Sequence, residues 1–223
     1  MLSSVLVTLA MCLAVSIAGE VPVTCGSAVT LQNKDSKFYL HSHGIAWGSG
    51  SGQQSVTAHD SVSGPGNMWQ VKSGHRKPMC EASQAIACGD RVRLEHVQTG
   101  RLLHSHLFKA PLSGNQEVSC FGDGGEGDTG DDWIVECDAG ATHWIRGQPV
   151  TLRHADTGKV LSTSKTAMFN QQNCGGGCPI MGQTEVSASQ YSDNKSKWMT
   201  SQGVYFQSKD AKFAGTYDDD DEL

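Results

Sequence analysis

Apolar and polar residues alternate over short runs of this chain, a pattern that predicts β-strands rather than helices. Three runs open alike, each reading Val-x-Leu, at 29–31, 92–94 and 150–152. In all three, a second leucine follows nine residues after the first, and each unit closes on a tryptophan. The second leucines and the tryptophans are Leu40, Leu103 and Leu161, and Trp69, Trp133 and Trp198. A unit repeated three times predicts a pseudo-symmetric fold.

The three units lie at about 22–77, 85–140 and 141–199. They share a second run that ends in valine, at Gly52–Val56, Gly114–Val118 and Gly182–Val186. Four short strands in each unit predict twelve strands in all. We therefore expect an all-β domain of the β-trefoil type, in which a closed six-stranded barrel is capped by three hairpins, because closure leaves no open sheet edge. A sandwich of similar strand number is the alternative, but it does not explain the threefold register.

The two ends of the chain differ from the repeats. Residues 1–18 have the apolar stretch and the small residues, Ser16 and Ala18, of a secretory signal peptide. A single domain is expected over 19–215, followed by an acidic tail at 216–223. The tail ends in Asp220, Asp221, Glu222 and Leu223, which is close to a Lys-Asp-Glu-Leu retrieval signal but has Asp in place of Lys. These features favour residence in the endoplasmic reticulum lumen over secretion.

Charge excludes one class of ligand. The net charge of −6 argues against nucleic acid binding, because phosphates require a basic surface. Acidic residues gather between Gly122 and Asp132, but their spacing does not match a calcium-binding EF-hand loop. A solvated, flexible loop is therefore expected there.

Cysteine positions predict disulfides. One of the eight cysteines lies in the signal region, so seven remain and at least one is unpaired or intermolecular. Cys25 and Cys88 each precede a strand-opening valine by four residues, while Cys80 and Cys137 each follow a closing tryptophan. Equivalent openings should pair with equivalent closings, which gives Cys25–Cys80 and Cys88–Cys137. The remaining three are expected to hold at most one bridge, between Cys174 and Cys178, with Cys120 as the spare thiol.

Two histidine pairs are the main candidates for chemistry. His41 and His43 lie two apart on one strand, and so do His104 and His106, so each pair should face one side of its sheet. Serines stand at the equivalent positions of the third repeat, and no Asp or Glu is seen at a regular offset to orient the rings. Hydrogen-bonded structural histidines are therefore favoured over a metal site or a general base. Ligand or peptide recognition, with amide contacts from Gln54 and Gln116, is an intermediate hypothesis.

Other functional motifs are weak or missing. The sequence has no Gly-x-Ser-x-Gly nucleophile motif, and we expect neither enzymatic activity nor a cofactor or metal. Ricin-like lectins end each repeat in Gln-x-Trp, whereas this chain has Asn67, Asp131 and Ser196 two residues before its closing tryptophans. Those tryptophans are expected in the core, which weakens the carbohydrate-binding hypothesis without removing it. Asn194 begins an Asn-Lys-Ser glycosylation sequon.

The repeats resemble a known module. Leu-His-Ser-His occurs at 40–43 and 103–106, each time followed by a run with Gly, Gln and Val and then by a closing tryptophan. This pattern resembles the MIR repeat, which is named for protein mannosyltransferases, inositol trisphosphate receptors and ryanodine receptors. A signal peptide followed by three such repeats resembles the stromal cell-derived factor 2 family, from Val21 to about Phe206.

The resemblance implies a β-trefoil resident of the endoplasmic reticulum that acts in protein quality control. It also implies a complex with a luminal J-domain co-chaperone and, through it, the luminal Hsp70, with unfolded or misfolded secretory proteins as clients. Mannosyl transfer is not expected, because this repeat is an accessory domain in the mannosyltransferases. A lectin-like module of the secretory pathway is the alternative function.

Overall fold

The structure is a computed structural model that describes residues 20–138 and 140–208. The predicted signal peptide and the acidic tail from 216 to 223 lie outside these residues. The strands are β1 Ala28–Asn33, β2 Tyr39–Ala46, β3 Gln54–His59, β4 Trp69–Ser73, β5 Arg91–His96, β6 Arg101–Lys109, β7 Gln116–Phe121, β8 Trp133–Cys137, β9 Val150–His154, β10 Val160–Met168, β11 Thr184–Ser189 and β12 Trp198–Val204. Three 3-10 helices, Pro65–Asn67, Thr129–Asp131 and Asn194–Ser196, precede β4, β8 and β12, and one short α-helix, α1, spans Gln171–Cys174.

The fold is all-β, with a closed barrel and 7% helix. Antiparallel pairing runs in a closed ring from β1 through β4, β5, β8, β9 and β12 back to β1. The remaining strands form three hairpins, β2–β3, β6–β7 and β10–β11. Strands β3, β7 and β11 also pair with one another. In the described residues, no helix is both long enough and apolar enough to cross a membrane.

The three closing tryptophans occupy the core, as predicted. Trp69, Trp133 and Trp198 are fully buried. Each indole Nε1 donates a hydrogen bond to the backbone carbonyl of the second leucine of its own repeat, at 2.9–3.0 Å. A buried indole needs such an acceptor, because an unpaired N–H would carry a desolvation penalty. The shared leucine and tryptophan positions therefore make one contact that recurs in every repeat.

Polar side chains join each repeat to the one before it. His96 Nε2 donates to the carbonyl of Gly66 in the first repeat at 3.1 Å, and His96 Nδ1 lies 2.9 Å from Thr99 Oγ1. His154 bonds the carbonyl of Gly130 in the second repeat at 3.0 Å. Asn33 stands at the equivalent place and donates to the Lys195 carbonyl of the third repeat at 2.8 Å. These hydrogen bonds therefore link the second repeat to the first, the third to the second, and the first to the third.

Buried glutamates add a second set of links, which sequence reasoning missed. Glu185 accepts from the backbone N–H groups of Leu112 and Ser113, at 2.6 and 3.2 Å. Glu117, one repeat earlier, accepts from the N–H and the hydroxyl of Ser51. Each glutamate precedes the valine of its repeat's second shared run, so their common position in the sequence was a usable signal.

Both predicted repeat disulfides are present, Cys25–Cys80 and Cys88–Cys137. Cys174 and Cys178 form a third disulfide in the long connection between β10 and β11. Cys120 is free and buried, and burial raises the pKa of its thiol to about 12. The long connection also supplies Phe169 and Ile180, which pack with Trp47 in a small second core.

Candidate binding site on the hairpin surface

The two histidine pairs lie on β2 and β6, at equivalent positions of the first and second repeats. His41 and His43 have ring centroids 5.3 Å apart, and His104 and His106 have theirs 4.9 Å apart, both edge to face. The members of each pair therefore share one face of the hairpin, as the strand period predicts. His104 is buried, while the other three rings are partly exposed.

Each pair is oriented by a polar side chain from a 3-10 helix. His41 Nδ1 lies 2.8 Å from Asn67 Oδ1, and His104 Nδ1 lies 2.9 Å from Asp131 Oδ1. The expectation that no Asp or Glu orients these rings was wrong for His104, which Asp131 orients, whereas the partner of His41 is the amide of Asn67. Asn67 and Asp131 both stand two residues before a closing tryptophan. The offset was hidden since the 3-10 helix folds back onto the hairpin from more than twenty residues away in the chain.

Glycine in the same 3-10 helix makes room for the ring. A Cβ placed on Gly66 would collide with the His41 ring, and one on Gly130 would collide with the His104 ring. The third repeat has Ser162 where the others have histidine, and Lys195 where they have glycine. The presence of the ring and the absence of a side chain on the helix are therefore coupled.

Burial sets the protonation of these groups. It lowers the pKa of His41, His43 and His106 below the usual histidine value, which favours neutral rings at pH 7. Burial raises the pKa of the Asp131 carboxyl, against the opposing effect of its bond to His104.

His104, Asp128 and Asp131 place possible metal-ligand atoms within 4.8 Å of one another. The carboxylates already have partners, however. Asp131 accepts from His104 and from the Asp128 N–H at 2.6 Å, and Asp128 accepts from the Gly130 N–H at 2.8 Å. This reciprocal pattern is a capping box. The cluster therefore fits a helix cap better than a coordination shell.

The acidic loop is more ordered at its end than predicted. Asp131 and Asp132 are buried, so the expectation of a solvated loop from Gly122 to Asp132 was wrong for these two residues. Asp132 Oδ1 accepts from the His75 N–H at 2.7 Å. The carboxylates are buried because each meets backbone N–H or imidazole donors.

Gln54 and Gln116 are buried rather than exposed beside the histidines. Gln54 Nε2 donates to Ser42 Oγ at 2.8 Å and to Thr99 Oγ1 at 3.0 Å. Gln116 Nε2 donates in the same way to Ser105 and Thr157, at 2.8 and 3.2 Å. Their amide nitrogens join neighbouring repeats, which leaves His41, His43 and His106 as the predicted binding residues that reach the surface.

Residues of the lectin and glycosylation hypotheses lie in or directly after the three 3-10 helices. Asn194 is exposed at its first position, while Ser196 is buried and its hydroxyl donates to the Asp193 carbonyl at 2.8 Å. The three closing tryptophans have no exposed surface, and two of the polar residues before them, Asn67 and Asp131, are bonded to histidines. A sugar site of the Gln-x-Trp type is therefore not formed at these triplets.

Comparison with known proteins gives a consistent result. No model of a protein family matches the chain. The mouse protein stromal cell-derived factor 2 is 42% identical over 192 residues, which cover 86% of each chain. The stromal cell-derived factor 2-like protein of Dictyostelium discoideum is 43% identical over 190 residues, or 84% of this chain and 85% of the relative.

Among solved structures, the chain is similar to the crystal structure of the SDF2-like protein from Arabidopsis thaliana. That match has a TM-score of 0.78 and 36% identity, and covers 85% of this chain and 99% of the other. Identity at this level over most of both chains extends through all three repeats. The chain belongs to the stromal cell-derived factor 2 family.

Proposed function

We propose that this protein is a β-trefoil binding subunit of a luminal chaperone complex in the endoplasmic reticulum. In this proposal it joins a J-domain co-chaperone, and through it the luminal Hsp70, and engages unfolded or misfolded clients without catalysing a reaction. The observation that carries the proposal is membership of the stromal cell-derived factor 2 family along nearly the whole described chain.

The β-trefoil assignment is supported by the strand pairing. Six strands pair in a closed ring, and three hairpins, one from each repeat, meet through β3, β7 and β11. A twelve-stranded trefoil has this arrangement of barrel and cap. Residence in an oxidising compartment is supported by the three disulfides.

A binding role is supported by the ends of the hairpin strands. After His106, β6 presents Leu107 and Phe108, which are 85% and 48% exposed. Large exposed apolar side chains on a surface are typical of protein contacts.

The neighbouring Ser105 hydroxyl donates to the Glu117 carbonyl at 2.7 Å inside the protein, so it does not serve the histidines as a nucleophile.

The test of the complex is crosslinking followed by affinity purification from cells under reducing-agent stress. The wild-type chain should recover a J-domain protein and luminal Hsp70, and treatment of the recovered material with glycosidase should not release them. Replacing Leu107 and Phe108 by serine should reduce client recovery several-fold. Met79→Ser is the matched control, because Met79 is 90% exposed but lies in another part of the surface. Complete secretion of the intact chain without any luminal partner contradicts the proposal.

The test of retention uses the tail. Deleting Asp220 to Leu223 should release part of the protein to the medium, while a partner-bound fraction stays inside the cell. Asp220→Lys should tighten retention, because it restores the basic residue that retrieval receptors prefer. Equal secretion of the intact and the truncated chains would remove the tail from the proposal.

A further inference from the structure

The third repeat lacks the aromatic cluster that fills the hairpin face of the other two. In the first repeat His59 joins the His41 ring at 5.6 Å, and in the second Phe121 joins His104 at 4.9 Å. Strand register aligns Ser162, Ser164 and Ser189 of β10 and β11 with these rings, because Thr163 pairs with Val186 as Ser42 pairs with Val56. Three rings are thus replaced by three hydroxyl groups.

A cleft of about 240 Å³ lies where the rings are missing. Its lining includes the three serines and Ser187, with Asn115 from the neighbouring hairpin and Tyr191 at the rim. Tyr191 is 79% exposed, whereas Ser162 and Ser187 are buried. The cleft therefore combines hydroxyl-lined walls with one accessible aromatic ring.

The walls are held in place by hydrogen bonds. Asn115 Nδ2 donates to Ser187 Oγ at 3.2 Å, and the Ser164 and Thr166 hydroxyls lie 2.9 Å apart. The buried Glu185 carboxylate binds the backbone of the loop that carries Asn115. Each hydroxyl can donate once and accept twice, so the walls keep free hydrogen-bonding capacity toward the cleft.

Charges of both signs stand at the mouth. Lys195 occupies the position that must be glycine where a histidine ring is present, and Asp193 lies two residues before it. Glu185 also lines the cleft, but its carboxylate already accepts from two backbone N–H groups. The mouth itself carries one ammonium and one carboxylate, so the cleft favours a neutral polar ligand over a strongly charged one.

We propose that this third-repeat cleft binds a neutral hexopyranose ring of a glycan. The serine hydroxyls and the Asn115 amide match the closely spaced hydroxyls of a sugar, and the Tyr191 ring offers a stacking surface for its C–H face. The site is separate from the histidine pairs and from the closing tryptophans. It goes beyond the proposed chaperone role and does not depend on the J-domain partner.

The sugar has two possible sources. Asn194 of the sequon stands between Asp193 and Lys195, two residues that line the cleft, so a glycan attached there would begin at its mouth. The other source is a glycan on a different protein. Both present the same pyranose chemistry, and removal of the sequon separates them.

The experiment titrates methyl α-mannoside and chitobiose into the purified full chain, followed by NMR of the tyrosine ring signals and by calorimetry. Asn194→Gln protein should bind one of the two sugars with a Kd of about 1 mM, as a single small ligand allows. Tyr191→Ser should weaken binding at least about tenfold. The triple variant S162H/S164H/K195G, which restores two of the three rings and the helix glycine of the first two repeats, should abolish it. Gln172→Ser, an exposed change on α1, should leave binding unchanged.

The outcomes distinguish the chain's own glycan from a glycan on another protein, and they can contradict the proposed sugar site. If the chain's own glycan occupies the cleft, the glycosylated wild-type protein should bind no added sugar, and its Tyr191 signals should shift on glycosidase treatment. If both forms bind alike, the ligand comes from another molecule. The proposal fails if Asn194→Gln protein binds neither sugar and glycosidase leaves the Tyr191 signals unmoved. It also fails if folded Tyr191→Ser protein binds as tightly as its parent.

Discussion

The first two repeats place a histidine against the same point of a 3-10 helix, yet they use different partners. In the first repeat the partner is the amide of Asn67, whose Nδ2 also donates to the carbonyls of Ser61 and Val62, at 2.8 and 3.2 Å. In the second it is the carboxylate of Asp131, which accepts the Asp128 N–H. The histidine can pair with either an amide or a carboxylate. Which of the two is present depends on the surrounding turn, which offers carbonyl groups to Asn67 and an N–H group to Asp131.

The largest expected effect comes from removing the charged partner. Asp131→Ala should lower the free energy of unfolding by about 3–5 kcal/mol, because it leaves the buried His104 and the helix cap without their acceptor. Asn67→Ala removes an uncharged partner and should cost about 1–3 kcal/mol. Urea unfolding of both variants measures the difference, and equal losses would contradict the distinction between the two repeats.

A second comparison, between His96 and Asn33 at the equivalent position of the first repeat, concerns stability at low pH. Burial lowers the pKa of His96 from 6.5 to about 4, so below pH 6.5 the unfolded chain binds the proton first. The free energy of unfolding should therefore fall by about 3 kcal/mol between pH 6.5 and 4 from this residue. His96→Asn copies the residue at position 33 and should reduce this loss, while His154, whose pKa burial also lowers, keeps its own contribution.

This prediction is checked by urea unfolding at pH 4.5 and pH 7. His96→Asn should be less stable than the parent at pH 7, because it loses packing against Trp69, whose ring centroid is 5.0 Å away. The gap between the two proteins should shrink at pH 4.5. A gap that stays constant with pH would show that His96 does not carry the acid sensitivity.

The 3-10 helix glycines provide a third comparison. Gly130→Ala should cost about 1–3 kcal/mol, because the added methyl group collides with the His104 ring and overpacks the site. Lys195→Ala at the equivalent place should change stability by less than about 0.5 kcal/mol, since its side chain is exposed and faces no ring. Thermal unfolding of the two variants tests the coupling, and combining His104→Ser with Gly130→Ala should recover part of the loss.

The smallest effect is expected when the partners are exchanged. Asn67→Asp should cost about 1–2 kcal/mol, because a carboxylate cannot donate to the two carbonyls that the amide serves. It should also raise the pKa of His41 through the nearby negative charge. Histidine titration by NMR reads this shift, and an unchanged His41 pKa would mean that the new carboxylate points elsewhere.

The sequence alone predicts the features that are repeated as identical residues. The closing tryptophans and the leucines that accept their N–H groups occupy matched positions, so comparison of the three units is enough to find them. The two repeat disulfides follow from Cys25 and Cys88, which precede the opening valine by four residues in the first two units. The partners of the histidines escaped notice because Asn67 and Asp131 differ in chemistry and reach the rings only through the fold.

The cleft of the third repeat could not be read from the sequence for another reason. The cleft exists because Ser162, Ser164 and Ser189 are smaller than the rings at the equivalent positions of the other repeats. That these three positions lie side by side is known only from the register of β10 and β11. The buried glutamates lie between these cases. Their shared position is visible in the sequence, but the backbone N–H groups that they bind belong to another repeat.

The buried Cys120 has a consequence for how the protein matures. Under oxidising conditions an unpaired thiol competes with the six cysteines that form disulfides, but the competition ends once Cys120 is enclosed on β7 between β3 and β6. A thiol that is both buried and protonated at neutral pH reacts only when the chain opens. Its rate of modification therefore reports how often the protein unfolds, and disulfide errors involving it should arise only while the chain is unfolded.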